Sequence, residues 1–172
     1  GKGPEGIGQS TLTDMIYHHV LGIDICKFGK ASHLKQYNRE LLGKLFVVFE
    51  ELQSFTDAEW RGIDSEIKQL ITGTRASYED KYLKRFEADN VNNYVVLSNH
   101  NPIKSADGRR YFLADIDPQK MGDQAFFDKL REACFNNLVG HALFCYLYEI
   151  DTDKFNSAAM PMTKSTTDVC AD

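Results

Sequence analysis

The chain lacks several features that would have fixed its class at once. No apolar run approaches the roughly 20 residues of a membrane-spanning helix, and no leader pattern opens the sequence. The expectation is an intracellular protein, cytoplasmic in a host cell, with no membrane partner. Cys26, Cys134, Cys145 and Cys170 form no C-x-x-C pair and show no histidine at zinc-ligand spacing. Reduced, partly buried thiols are therefore the better reading, with a metal site or disulfide pair as the alternative. Positive charge is not in excess either: 25 acidic against 20 basic residues give a formal net charge of −5. A diffuse basic coat for nucleic acid is thereby excluded, and only a local patch could make such contacts. Internal repeats are absent, as is any Ser-His-Asp or Cys-His arrangement for nucleophilic catalysis.

What is present begins with mass and composition. At 172 residues, 42% of them apolar, the chain is the size of one globular domain with a real core and is expected to fold as a single unit. Its first eleven residues, Gly1 to Thr11, combine a glycine-rich turn with Ser-Thr and the start of an amphipathic run. Read from Gly3, they fit the phosphate-binding pattern G-x-x-x-x-G-K-[S/T] except that Gln9 stands in the lysine position. Gly3, Gly6 and Gly8 would let backbone N–H groups curl round an anion, the helix start would add partial positive charge, and the Ser10 hydroxyl, followed by Thr11, would reach Mg²⁺. Gln9 can donate hydrogen bonds to a phosphate but carries no charge. Lys2 lies on the far side of the loop and does not replace it. Because Gly1 is not Met and no strand feeds the loop, the chain is expected to be a fragment.

Hydrophobic periodicity predicts a helix over Ser10–Leu21, with Leu12, Met15, Ile16, His19 and Val20 inward, then a strand over Ile23–Phe28 and a helix over His33–Leu42. Leu45–Phe49 reads as a strand buried on both faces. A capping box at Thr56–Glu59 opens a helix that carries Trp60, Ile63, Ile67, Leu70 and Ile71 to Gly73. Thr74–Asn93 is polar and reads as a loop or hairpin, and Tyr94–Leu97 and Tyr111–Ile116 as strands. Asp123–Ile150 is helical, with a possible break at Gly140 and Phe127, Leu130, Cys134, Leu138, Leu143 and Leu147 facing inward. Strands alternating with helices predict a three-layer α/β core with a mostly parallel sheet over residues 1–151, its first strand missing from the fragment, and a linker over 152–172.

Chemistry gathers at strand ends. Glu50-Glu51 closes an apolar strand downstream of the loop; Glu50 would hold Mg²⁺ through water and Glu51 would orient or deprotonate the attacking water. Taken alone, the pair also suits a solvated strand end. Asn99 closes the next strand, where its amide could bond both a water and a phosphate oxygen, although a turn cap would look the same. In His18-His19, His19 falls on the apolar face and fits a satisfied core or boundary histidine better than a ligand, and His100 has no demanding spacing.

The order of these motifs, with Asn101-Pro102, Lys104, Arg109-Arg110-Tyr111-Phe112 and Pro161-Met162-Thr163, resembles the superfamily 3 helicases of small-genome viruses and phages. It looks most like the ATPase domain of phage and poxvirus-type primase-helicases. The resemblance implies an AAA+-like P-loop fold, ATP and Mg²⁺ as cofactors, a homo-hexameric ring, single-stranded DNA as partner, and a primase module in the same full-length chain. It implies that Lys104 and Arg109 or, by preference, Arg110 act on a neighbour's nucleotide, and that the segment before the Ser98-Asn99 strand forms a DNA-gripping hairpin. There Arg75, Lys81, Tyr82, Lys84, Arg85 and Phe86 mix cations with aromatics, while Glu79, Asp80, Glu87 and Asp89 nearly cancel the charge, so a self-paired surface hairpin stands as the alternative. Gln9 departs from the family pattern and leaves two readings, a working translocase and a degenerate relative that binds nucleotide or assembles without turnover. A small-molecule kinase-like enzyme is a third reading, without a visible acceptor pocket or lid.

Overall fold

The computed structural model describes residues 8–34, 36–50, 57–98 and 110–156, with isolated positions from 159 to 167. The chain folds as two compact units, Asp24–Lys104 and Gly1–Ile23 with Ser105–Asp172.

The first is a sheet unit. Its strands are β1 (Cys26–Gly29), β2 (Phe46–Glu50), β3 (Arg75–Tyr78), β4 (Phe86–Asp89) and β5 (Asn93–Leu97). A three-stranded sheet runs in the order β1-β2-β5, parallel throughout, and β3 and β4 form a separate antiparallel hairpin. The fold is mixed α/β. β-Branched and aromatic residues suit the central strand: Val47, Val48 and Phe49 are at most 1% exposed, and each such side chain contributes about 1.5–3 kcal/mol on burial. A Cβ on Gly29 would overlap the Phe49 ring, so only glycine fits opposite it. The helix that crosses from β2 towards the hairpin, α2 (Asp57–Thr72), ends where expected and buries Ile63 and Ile67. The capping residue Thr56 and the Trp60 side chain lie outside the described residues.

Two expectations for this unit change. The first strand starts at Cys26 rather than Ile23. The helix expected over His33–Leu42 is instead a pair of 3-10 turns, Ala31–Leu34 and Arg39–Leu41. Tyr37 between them takes φ 57, a left-handed conformation through which a right-handed helix does not continue.

In the helical unit, α1 (Gln9–Met15) continues as a π-helical turn over Ile16–Val20. The expected long helix from Asp123 is split into α3 (Gln124–Cys134) and α4 (Asn137–Tyr148). The break falls at Phe135-Asn136 and not at Gly140. Asn136 is extended and its side chain accepts from Val139 N at 3.0 Å, restarting the helix as an N-cap. Gly140 lies inside α4, where a Cβ would overlap the His19 carbonyl oxygen. His19 is a boundary histidine: its ring stands edge-on to Phe135 at 5.6 Å and Nδ1 is 3.1 Å from Asn137 Oδ1.

Several residues expected inward are not. Leu12, Leu138 and Leu147 are 62%, 83% and 47% exposed. Apolar residues are spread around α4, so its periodicity marks no single inward face, and it approaches the π-helical turn at Gly140. Tyr111–Ile116 forms no strand ladder; Asp115 makes an isolated bridge, and the Leu113 carbonyl accepts from Thr163 Oγ1 at 2.6 Å, a side chain taking a ladder partner's place. No helix among the described residues is long and apolar enough to cross a membrane.

Candidate functional site

The phosphate-loop residues enter the described chain at Gly8; Gly3 and Gly6 lie outside it. Gly8 is the N-cap of α1 at φ 83, and its carbonyl accepts from Thr11 N at 3.1 Å. Two constraints meet here. The left-handed backbone favours glycine, and a Cβ would run into the Phe127 ring of α3. Glycine has no side chain with which to cap the first turn, and the internal acceptor that it offers that turn is its backbone carbonyl, which takes Thr11 N. Gln9 is the first helical residue and is half-buried with its own interactions, Ser10 is exposed, and Thr11 follows on the same turn. Thr13 is buried, its hydroxyl donating to Ser10 O at 2.9 Å, which fixes the turn from below.

In the sheet unit Glu50 ends the central strand and is exposed, while the residues before it are buried. It is registered opposite Leu97, and Ser98, directly after β5, is buried. Because β1, β2 and β5 are parallel, their carboxyl ends share one edge of the sheet, the edge at which open parallel sheets bind ligands. Glu50 and Ser98 are therefore neighbours on that edge. Glu51, Asn99, Lys104 and Arg109 lie outside the described residues. Arg110 belongs to the helical unit, where it is half-buried and already engaged.

The segment read as a loop or hairpin is a hairpin, and its cations divide into two sets. Along its length they are self-paired: Arg75 reaches Asp89 at 3.2 Å and Glu87 at 3.6 Å, and Arg85 reaches Glu79 at 3.0 Å. At its tip they are not. Lys81 lies over the Tyr82 ring with its ammonium 5.3 Å from the centroid, and Lys84 makes no ion pair among the described residues. Tyr82 is 92% exposed at φ 68, and Leu83 is also exposed. Exposed cations beside an unpacked ring offer phosphate contact and a stacking face together.

Sequence reasoning missed one pairing. His141 and Cys145 are one turn apart on α4, with Nε2 3.6 Å from Sγ, because residues four apart share a helix face. Two donors do not enclose a metal ion, and no group of three or more metal-ligating side chains occurs among the described residues. Of the thiols, Cys26 is buried, Cys134 half-buried and Cys145 exposed.

Residues 2–110 match the sequence model of a family described as Family of unknown function (DUF5906). The chain belongs to this family. No curated protein matches it. Among solved structures it is similar to the apo structure of the NrS-1 C-terminal region (305-718), with TM-score 0.82 and 20% identity over 99% of this chain and 41% of that one. A second, the A form apo structure of the same region, gives TM-score 0.78 and 21% identity over 99% of this chain and 40% of that one. At such identity the likeness is one of fold, and this chain spans about two-fifths of the NrS-1 chains it matches.

Proposed function

We propose that the chain is the P-loop ATPase core of a superfamily 3-type primase-helicase, hydrolysing ATP with Mg²⁺ between subunits of a homo-hexameric ring to move single-stranded DNA. A primase module belongs to the same full-length polypeptide. The observation that carries this reading is the parallel pairing of β2 with β5, with exposed Glu50 and the end of β5 on one carboxyl edge. In that role Glu50 and Ser10 would each be a Mg²⁺ ligand, Glu51 would activate the attacking water, and Asn99 would contact water and γ-phosphate. Gly8 supports the loop's part by its left-handed cap and by the ring packed against it. Lys104 and Arg110 or Arg109 serve the neighbouring subunit's nucleotide. The hairpin tip, Lys81, Tyr82 and Lys84, grips the strand, while Arg85, predicted with them, is committed to Glu79.

A second reading is favoured by Gln9 alone: a relative that binds nucleotide or assembles but turns over slowly. Steady-state ATPase of the full-length protein, with and without single-stranded DNA, separates the two. The translocase reading expects DNA-stimulated turnover that Glu51→Gln abolishes. Background turnover that Glu51→Gln leaves unchanged overturns it.

A further inference from the structure

The hairpin tip is exposed, but its root is fastened by the side-chain amides of Asn38, Asn90 and Asn92. Asn92, one residue before β5, donates through Nδ2 to Leu41 O at 2.7 Å and Lys44 O at 2.6 Å, and its Oδ1 accepts from Tyr78 Oη at 3.0 Å. One residue thus joins the approach to β2, the end of β3 and the start of β5. Asn90 donates to Leu70 O at 2.5 Å and Gly73 O at 2.8 Å, closing the C-terminal end of α2. Asn38 imitates a strand neighbour, donating to Ser77 O at 3.0 Å and accepting from Glu79 N at 2.9 Å. Arg39 N adds a bond to Glu79 O at 3.1 Å. Tyr78 is 1% exposed and packs against Phe86 across the hairpin, with centroids 6.1 Å apart, so its hydroxyl is fixed where Asn92 meets it.

We infer that Asn92 is a positioning residue that makes the hairpin and the parallel sheet one rigid piece, so that any displacement of β2 or β5 is delivered to Lys81, Tyr82 and Lys84. The inference rests on the reading of the tip as a single-strand contact. Its physical basis is the pattern of bonds: the same amide bridges β2's approach and β3, and its own backbone leads into β5. Without it the hairpin keeps its own ladder but loses the junction that orients it. Aspartate is the sharpest substitution. It keeps the shape, removes both donors and turns carboxylate oxygen towards two carbonyls.

The test uses full-length protein carrying Asn92→Asp and, as a milder cut of the same junction, Tyr78→Phe. Hydrogen exchange is followed at β3–β4 and at β2, with binding of a fluorescent oligo-dT and ATP turnover with and without it. The expected result for Asn92→Asp is at least tenfold faster exchange confined to β3–β4, with oligo-dT affinity within about threefold of wild type. Basal turnover is unchanged within twofold and DNA stimulation is lost. Tyr78→Phe changes in the same direction and by less. A merely structural residue would lower basal turnover and stimulation together, and that result overturns the inference. So does unchanged hairpin exchange in both variants, or stimulation retained within twofold. Should Asn92→Asp fail to fold, Tyr78→Phe decides by the same readouts. If wild type neither binds oligo-dT nor is stimulated by it, the translocase reading fails and the positioning role fails with it; the exchange data then report only whether the junction is rigid.

Discussion

The sheet unit and the helical unit use similar residues to opposite ends. In the first, Val47, Val48 and Phe49 vanish into the core between two flanking strands; in the second, α4 is predominantly apolar, yet Leu138 and Tyr148 are each 83% exposed. The sheet unit also consumes its polar groups internally, through Asn38, Asn90 and Asn92, whereas the helix ends at Asp123 and Asn136 are fastened one local cap at a time. A central strand has neighbours on both edges and helices or turns over its faces, so every residue meets something. A helix buries only the stripe it presents to a partner. The difference separates an organised frame, which carries Glu50 and the hairpin, from an element whose packing is local.

The sharpest way to break this contrast is to remove a residue on which the frame depends. Phe49→Ala deletes a fully buried ring that stacks on Tyr94 at 6.1 Å and is expected to cost about 3–5 kcal/mol in urea denaturation. Leu138→Ala, on the exposed side of α4, should change stability by less than about 0.5 kcal/mol in the same assay. Equal losses would abolish the distinction.

Next in size is the loop in the helical unit. Gln9→Lys restores a charge-assisted phosphate contact worth about 1.5–3 kcal/mol, so ATP affinity measured by calorimetry should rise roughly tenfold or more. No gain in a folded variant would count against a nucleotide-binding role for this turn.

Smaller again is the division within the hairpin. Lys81→Ala with Lys84→Ala should weaken oligo-dT binding and flatten its salt dependence by up to about two counterions. Arg75→Ala, which removes a surface ion pair of about 0–1 kcal/mol, should leave binding near wild type. Equal effects from both sets would mean that self-pairing does not withdraw a cation from DNA.

The smallest effect concerns pH and is confined to the sheet unit. His33 is buried, and its Nδ1 accepts from Lys30 N at 3.2 Å. Burial chiefly, and Lys27 and Lys30 further, hold its pKa below the ordinary 6.5 against an opposing pull from Glu40. The unfolded chain therefore takes up the proton first as pH falls, and stability should decline below about pH 6.5 while staying flat above pH 7 with respect to this group. Denaturation of wild type and His33→Gln at pH 5 and 7.5 measures it; an unchanged slope in the variant assigns the effect elsewhere.

Periodicity and residue type were sufficient for the central strand, for α2 and for β5, because burial on both faces or on one clear stripe leaves a local signature. The placement of two candidate site residues was legible in the same way: Glu50 closes a strand, Gly8 opens a helix, and neither needs distant information. Periodicity failed over His33–Leu42, where the left-handed Tyr37 interrupts a helical pattern, and in α4, where apolar residues on all sides hide which stripe is used. Near-zero net charge in the hairpin could not say which cations were spent.

The sequence by itself determined the order of motifs, the glutamine in place of a lysine, and the strands whose buried character is written in consecutive apolar residues. Only the tertiary structure decided that β2 lies between β1 and β5 in parallel, that Arg75 and Arg85 are paired while Lys81 and Lys84 stand at an open tip, and that Asn92 ties that hairpin to the sheet. Local preferences are set by neighbours in the chain. Pairing, register and the sharing of one amide between Leu41, Lys44 and Tyr78 depend on segments that meet only when the chain has folded.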